Sequence, residues 1–375
     1  MTDFIFKKYP ALSDGNFIKF LSSQFLSLTG GYIQSVALSA MISQNEGDRK
    51  TLGFFLFCCY IPVFLLSYPA SKLLQKIPIK PVLIITDSLL LALSIFLVLF
   101  SDMETGMLCI FGAVWGIVRA VQTPACAAVP KLICESKSLS SAVGALSLST
   151  SLARAAGPII SGALYTAFDF RMAFIVNAIS FLPSLLLVSL TKIKKEKSFS
   201  RKKTKPDISM LLLILVFAVS FCGTSYNVIF TGLCDNLSLS KAWFSVFMAA
   251  VGAGAVIGAL LSGRGRLPLF SLGIGVLAGA LAIFKNGYII AAITVAYGVL
   301  DYLFFTAAQR RINLQNDKES ISAAMGVYTA VTTGALPLGY LVMSSILEGL
   351  GITWALLFSS VLIASVSLLF FGKIR

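Results

Sequence analysis

Apolar residues fill this chain in long blocks separated by short polar joints. Twelve blocks run over approximately 16–42, 51–74, 81–100, 106–128, 138–167, 171–190, 208–233, 242–262, 267–284, 287–308, 320–347 and 352–371. Crossing the hydrocarbon core of a bilayer takes about 20 residues of helix. A backbone in contact with lipid has to satisfy its own hydrogen bonds, so each block is predicted to be a transmembrane helix. The short alternating strands of a membrane β-barrel do not occur. The expected fold is therefore an all-α polytopic membrane protein with 12 transmembrane helices. Residues 1–13 are polar and lead directly into a full-length span, so no cleavable signal is expected.

The polar joints supply the organisation. Between the sixth and seventh blocks lies "TKIKKEKSFSRKKTKP" (Thr191–Pro206), with eight basic residues and one acid. It is the one long, strongly charged connection. It divides the chain into an N-terminal six-helix bundle (1–190), a basic cytoplasmic linker (191–206) and a C-terminal six-helix bundle (207–375). With the N-terminus placed in the cytoplasm, the inner loops and tails hold 22 of the 30 Lys and Arg residues. The outer loops hold Arg49, Lys50, Arg171, Lys241 and Lys285, and the spans hold Lys19, Arg119 and Arg154. That asymmetry is the positive-inside rule. Both termini are accordingly expected in the cytoplasm, and the chain in a cell (inner, cytoplasmic) membrane of a bacterium. The linker's charge serves topology and attraction to anionic headgroups.

Composition agrees and removes several function classes. The chain has 375 residues, of which 57% are hydrophobic and 12% charged, with a mean hydropathy of +0.89. A soluble protein carries roughly a quarter charged residues. The net charge of +14 follows from topology, so no nucleic-acid partner is expected. The seven cysteines (Cys58, Cys59, Cys109, Cys126, Cys134, Cys222 and Cys234) lie in or at the ends of apolar blocks without metal-type spacing, and read as small core hydrophobes. There is no histidine, which removes the commonest metal ligand and general base. No metal, no cofactor and no enzyme activity are expected; a polytopic enzyme would also want paired carboxylates.

Six spans plus six suggest an internal repeat, as in transporters built from two similar halves. The fifth block contains "RAAGPIISGAL" (Arg154–Leu164) and the eleventh "TGALPLGYL" (Thr333–Leu341). Each places a Pro between glycines in mid-span, where Pro loosens the backbone and Gly permits close helix contact. "WGIVR" (Trp115–Arg119) in the fourth block echoes "YGVLD" (Tyr297–Asp301) in the tenth.

With these residues in view, the chain resembles the major facilitator superfamily, in the branch of macrolide-efflux and enterobactin-exporter-like proteins. The opening span Ala11–Leu38 carries Asn16-Phe17, Gln24, Ser27, Gly30 and Ala37-Leu38, while Ser151–Leu164, Phe174–Leu186 and Gly334–Leu341 match the fifth, sixth and eleventh spans. The resemblance implies two bundles around a central cavity that opens alternately to each side. Spans 1, 4, 7 and 10 would line the cavity, usually with proton exchange as the drive. Two departures stand out. Where the branch carries an acid after the span-1 glycine, this chain has Gly30-Gly31. In the loop after span 2, "ASKLLQKIPIKPVL" (Ala70–Leu83), the family's acid is replaced by Gln75, with Lys76 at the Arg position and Lys80 keeping one basic position. The exchange implies a looser inner gate.

Charges inside a bilayer cost several kcal/mol unless paired or hydrated. Lys19 lies near a span end and can snorkel. Asp87, early in span 3, is expected to support the cytoplasmic gate, in reach of Lys76 or Lys80. Arg119 and Asp301 both lie about thirteen residues from the outer end of their spans, or ~20 Å. They are the candidate proton and charge pair, and a static ion pair is the equal alternative. Arg154, Gly157 and Pro158 are gating candidates at the seam between the bundles. Gln24, Tyr32, Gln34, Trp115, Gln122, Tyr226, Asn227, Tyr297 and Tyr302 are the substrate-cavity candidates. Aromatic walls with few donors suit an amphipathic organic molecule better than a sugar.

The leading reading is a monomeric, proton-coupled exporter (an antiporter) of a small amphipathic compound such as a drug, macrolide or siderophore. Its partners are the substrate, protons and the lipid bilayer. An importer of the same fold, or a non-transporting membrane receptor or partner subunit, are the alternatives. The missing acids favour the receptor, and the Arg119–Asp301 pair favours transport.

Overall fold

The apolar blocks fold as helices because a helix satisfies its backbone hydrogen bonds within one segment, as lipid requires. The structure, a computed structural model, describes residues 10–45, 49–74, 76–100, 104–135, 138–193, 207–223, 226–240, 242–261, 266–316 and 321–372, and among them it contains helices and no strands. A 3-10 turn, Pro10–Ser13, leads into α1 (Gly15–Asn45), α2 (Arg49–Leu73), α3 (Ile79–Leu99), α4 (Thr105–Ile133), α5 (Leu139–Ala167) and α6 (Phe170–Leu190). The second half holds α7 (described in two pieces, Met210–Gly223 and Tyr226–Asn236), α8 (Ala242–Leu261), α9 (Leu267–Ile283), α10 (Gly287–Gln315), α11 (Ile321–Leu350) and α12 (Ile352–Gly372). Eleven of these twelve are long and apolar enough to cross a membrane. The exception, α9, is apolar but has 17 residues, about 26 Å at 1.5 Å per residue. Large apolar side chains stay exposed on the helices, Leu99 at 68% and Ile110 at 67%, as a lipid-facing surface requires.

Packing groups Met1–Leu38 with Pro62–Phe199 as one unit, and Ser39–Ile61 with Ser200–Arg375 as a second. In the first unit α3 packs on α4 and α6, and α5 on α4 and α6. Small residues set how near the helices come. The space where Gly30 lacks a side chain is taken by Asn177 and Ser180 of α6, and a Cβ at Gly157 of α5 would lie 3.3 Å from the Ile33 nitrogen of α1. Phe17, Phe20, Leu83, Val129 and Ala142 fill one end of this unit. There Asn16 Oδ1 accepts the Lys192 amide at 3.2 Å, which ties the end of α6 to the start of α1.

In the second unit α8 lies along α10, while α9 packs on both α10 and α12. Asn316 closes the chain's re-entry after the linker. It accepts from Asp207 N at 2.9 Å and donates to Asp207 O at 2.8 Å. This unit also holds the segment 39–61, so the division by chain order at the linker and the division by packing differ there. The reason is a run of contacts between the first half of α2 and α11. Ser344 and the Tyr340 carbonyl fill the notch at Gly53, the rings of Tyr60 and Tyr340 lie 5.4 Å apart, and Lys50 Nζ lies 2.8 Å from Glu348 Oε1. The ion pair is the weakest part, since the side chains are 55% and 34% exposed. Glu348→Gln is expected to change stability by less than about 1 kcal/mol, read from thermal unfolding in detergent.

Candidate functional site

Helix α4 places Trp115, Arg119 and Gln122 on one face, at positions i, i+4 and i+7. The Arg119 guanidinium lies 5.2 Å from the Trp115 ring centroid. Its Nη1 donates to Gln122 Oε1 at 2.8 Å, and Gln122 Nε2 in turn donates to Asp87 Oδ1 of α3. The orientation of the amide is fixed from both sides. Turned round, its NH2 would face the guanidinium and its carbonyl the carboxylate. Ser184 of α6 donates to Asp87 Oδ2 at 3.3 Å, and Ser23 of α1 bonds Ser184 at 2.9 Å. Asp87 is 0% exposed and Gln122 2%. Four helices thus converge on one buried carboxylate, and Arg119 reaches it through a neutral amide.

This arrangement differs from the expected reach of Asp87 to Lys76 or Lys80. Its hydrogen-bond partners are Gln122 and Ser184, not Lys76 or Lys80. Lys80 Nζ donates to the Ser189 carbonyl at 2.5 Å, so its charge sits at the C-terminal end of α6, where a helix dipole favours a cation. Lys76 is exposed, and Gln75 lies outside the described residues. A periodicity visible in the sequence would have aimed Asp87 inward, for Leu83, Asp87, Leu90, Ser94 and Leu97 form one buried stripe of α3. At the same end of the unit, burial and then the Asp14 carboxylate push the Cys134 thiol up.

The Gly30-Gly31 departure has a structural counterpart. A Cβ at Gly31 would lie 3.0 Å from Arg119 Nη2, so α1 offers the guanidinium open space where a side chain would stand. The carboxylate linked to Arg119 through Gln122 comes from α3. Farther along α1, Gln34 Oε1 accepts from Asn177 Nδ2 at 2.6 Å and from Ser94 Oγ at 3.1 Å. Gln34, expected in the cavity wall, spends its carbonyl at the α1–α3–α6 junction. Gln24 is buried on α1. Tyr32 is half-buried, with its Cβ against Gly157 beside Pro158, and Arg154 is half-buried one turn earlier on α5.

In the second unit the candidates form an aromatic group. Tyr226 meets Tyr297 edge-on at 5.6 Å and stacks with Phe230 at 5.8 Å. Tyr297 OH donates to the Gly223 carbonyl at 2.9 Å. Asp301, 3% exposed, follows one turn after Tyr297 and is close enough to Tyr297 and Tyr328 to act on both phenols electrostatically. Asn227 is buried beside Tyr340. Tyr302 is half-buried, its Cβ 3.1 Å from where a Cβ of Gly258 would stand. Arg119 belongs to the first unit and Asp301 to the second.

Comparison with known proteins agrees with this architecture. The family model of the Major Facilitator Superfamily matches residues 20–265. The chain is 25% identical to the staphyloferrin A transporter of Staphylococcus aureus, over 89% of this chain and 90% of that one. It is 18% identical to macrolide efflux protein A of Streptococcus pyogenes, over 92% and 93%. Among solved structures, the nucleoside transporter NupG superposes with a TM-score of 0.76 at 9% identity, covering 96% of this chain and 100% of that one. A bacterial homologue of the lysosomal transporter Spinster gives 0.72 at 14% identity, over 98% and 97%. The chain is a multi-pass membrane protein that belongs to the major facilitator superfamily.

Proposed function

We propose that this chain is a proton-coupled exporter of a small amphipathic compound, working by alternating access as a monomer in the bacterial cell membrane with both termini in the cytoplasm. The observation that carries this reading is that each unit buries an acid within apolar helices, Asp87 at 0% and Asp301 at 3% exposure. A carboxylate in a membrane span costs several kcal/mol and is kept where protons or substrates move. The aromatic group around Tyr226 and Tyr297 supports an amphipathic substrate over a sugar. The relatives named for a siderophore and for macrolides support the same substrate class. The lysine and arginine asymmetry supports the orientation.

The test is erythromycin accumulation in everted membrane vesicles from cells expressing the full chain, with an imposed proton gradient. The reading expects uptake that collapses when an uncoupler dissipates the gradient. Staphyloferrin A, offered to right-side-out vesicles, tests the opposite direction. Movement of neither compound, with or without a gradient, would favour a receptor or partner subunit.

A further inference from the structure

We propose that Asp87 is a proton-binding site of the first unit, and that Gln122 transmits its charge state to Arg119. The consequence for transport rests on the function proposed above; the site itself does not. A purely structural ion pair would join guanidinium and carboxylate directly, since bidentate pairing is the stronger contact. Here a neutral amide stands between them, and among the described residues the carboxylate accepts only from Gln122 and Ser184. Arg119 of α4 is the charged group that acts on Asp87 among the described residues; the neutral thiol of Cys126, also on α4, lies within the field of the carboxylate, and α6 and α1 present the hydroxyls of Ser184 and Ser23.

The hydrogen-bond directions say where a proton goes. Gln122 Nε2 carries only protons and cannot accept, so Oδ1 stays an acceptor. Ser184 is a hydroxyl and can turn. With Asp87 ionised, Ser23 donates to Ser184 and Ser184 donates to Oδ2. A proton arriving on Oδ2 makes that oxygen the donor, and Ser184 then accepts from it and donates to Ser23. No other bond breaks, and the net change is one proton gained. The Gln122–Asp87 bond loses its charge assistance, which weakens the hold of Gln122 on Arg119 beside Trp115. A proton taken up on α3 is thereby felt at a guanidinium on α4.

The experiment is infrared difference spectroscopy of the purified full-length protein in nanodiscs, acid minus alkaline, reading the C=O stretch of protonated carboxylic acids. Asp87→Asn is expected to remove one component of that band, and Asp301→Asn to leave that component in place. Gln122→Leu deletes a donor that holds the ionised form more strongly than the protonated one, so the Asp87 component is expected to appear at a pH higher by about one unit. Should Asp87→Asn not fold, Ser184→Ala is expected to move the component in the same direction, because the Ser184 bond to the charged carboxylate is stronger than its bond to the protonated acid. A band unchanged in Asp87→Asn, or unmoved by Gln122→Leu and Ser184→Ala, overturns the proposal. Because no substrate is added, failure here is separable from failure of the erythromycin assay. If both hold, Asp87→Asn is expected to lose the gradient dependence of erythromycin uptake.

Discussion

Replacing Gly254 with valine is expected to destabilise the second unit by about 3 kcal/mol, the upper end of the usual cost of overpacking. A Cβ there would run into the Val295 carbonyl oxygen, and would lie 2.9 Å from the Val299 nitrogen and 3.0 Å from the Gly298 Cα. These are backbone atoms of α10, so no side-chain rotation relieves the clash. The reciprocal position is equally tight, because a Cβ at Gly298 would meet the Val251 carbonyl of α8. In a membrane, where lipid removes the hydrophobic drive between helices, such close backbone contact is a main source of helix association. Gly326 on α11 is the control, because a Cβ there meets open space. Gly326→Ala is expected to be neutral or to stabilise by roughly 0.5–1 kcal/mol through helix propensity. Thermal unfolding of the two variants followed by size-exclusion chromatography checks this; equal shifts would mean that α8 and α10 are not held by that contact.

The second large effect is on transport. Asp301→Asn keeps the shape of the side chain and one acceptor oxygen, puts an NH2 donor in place of the other oxygen, and removes the titratable proton. Asp301 is buried at 3% exposure in a span, near the phenols of Tyr297 and Tyr328. On the proposed function it carries a proton in the second unit. The variant is expected to lose at least about tenfold in gradient-driven erythromycin transport, equivalent to about 1.4 kcal/mol, while its unfolding temperature changes little. Arg119→Ala is expected to show a comparable loss, since it removes the cation bonded to Gln122. Both variants transporting at the wild-type rate in proteoliposomes would remove Asp301 and Arg119 from the mechanism.

Particular residues show how far sequence reasoning reaches here. The twelve apolar blocks carry their own instruction, because a span must close its backbone hydrogen bonds within itself, and the helices follow with α9 the shortest. Arg119 and Asp301 stand out from the sequence alone, since a charge amid apolar residues is conspicuous. The partner of each is another matter. Asp87 lies close in sequence to Lys80, yet it bonds to Gln122 and Ser184, which are 35 and 97 residues away. Gln34 reads as a cavity residue by span number, but the face it shares with Asn177 and Ser94 depends on how α1 is rotated against α3 and α6.

The sequence by itself determined the class of molecule, the number of spans, the basic linker and the family resemblance, because each depends on length, hydropathy and local order. Only the tertiary structure decided that the carboxylate linked to Arg119 through Gln122 comes from α3 while Gly31 leaves the space open, and that residues 39–61 pack with the second unit. Such outcomes turn on helix rotation and on notches a single glycine deep. Apolar helices in lipid carry little directional information in their hydropathy, so their rotation is set by small residues and buried polar bonds that become visible only when the helices are assembled.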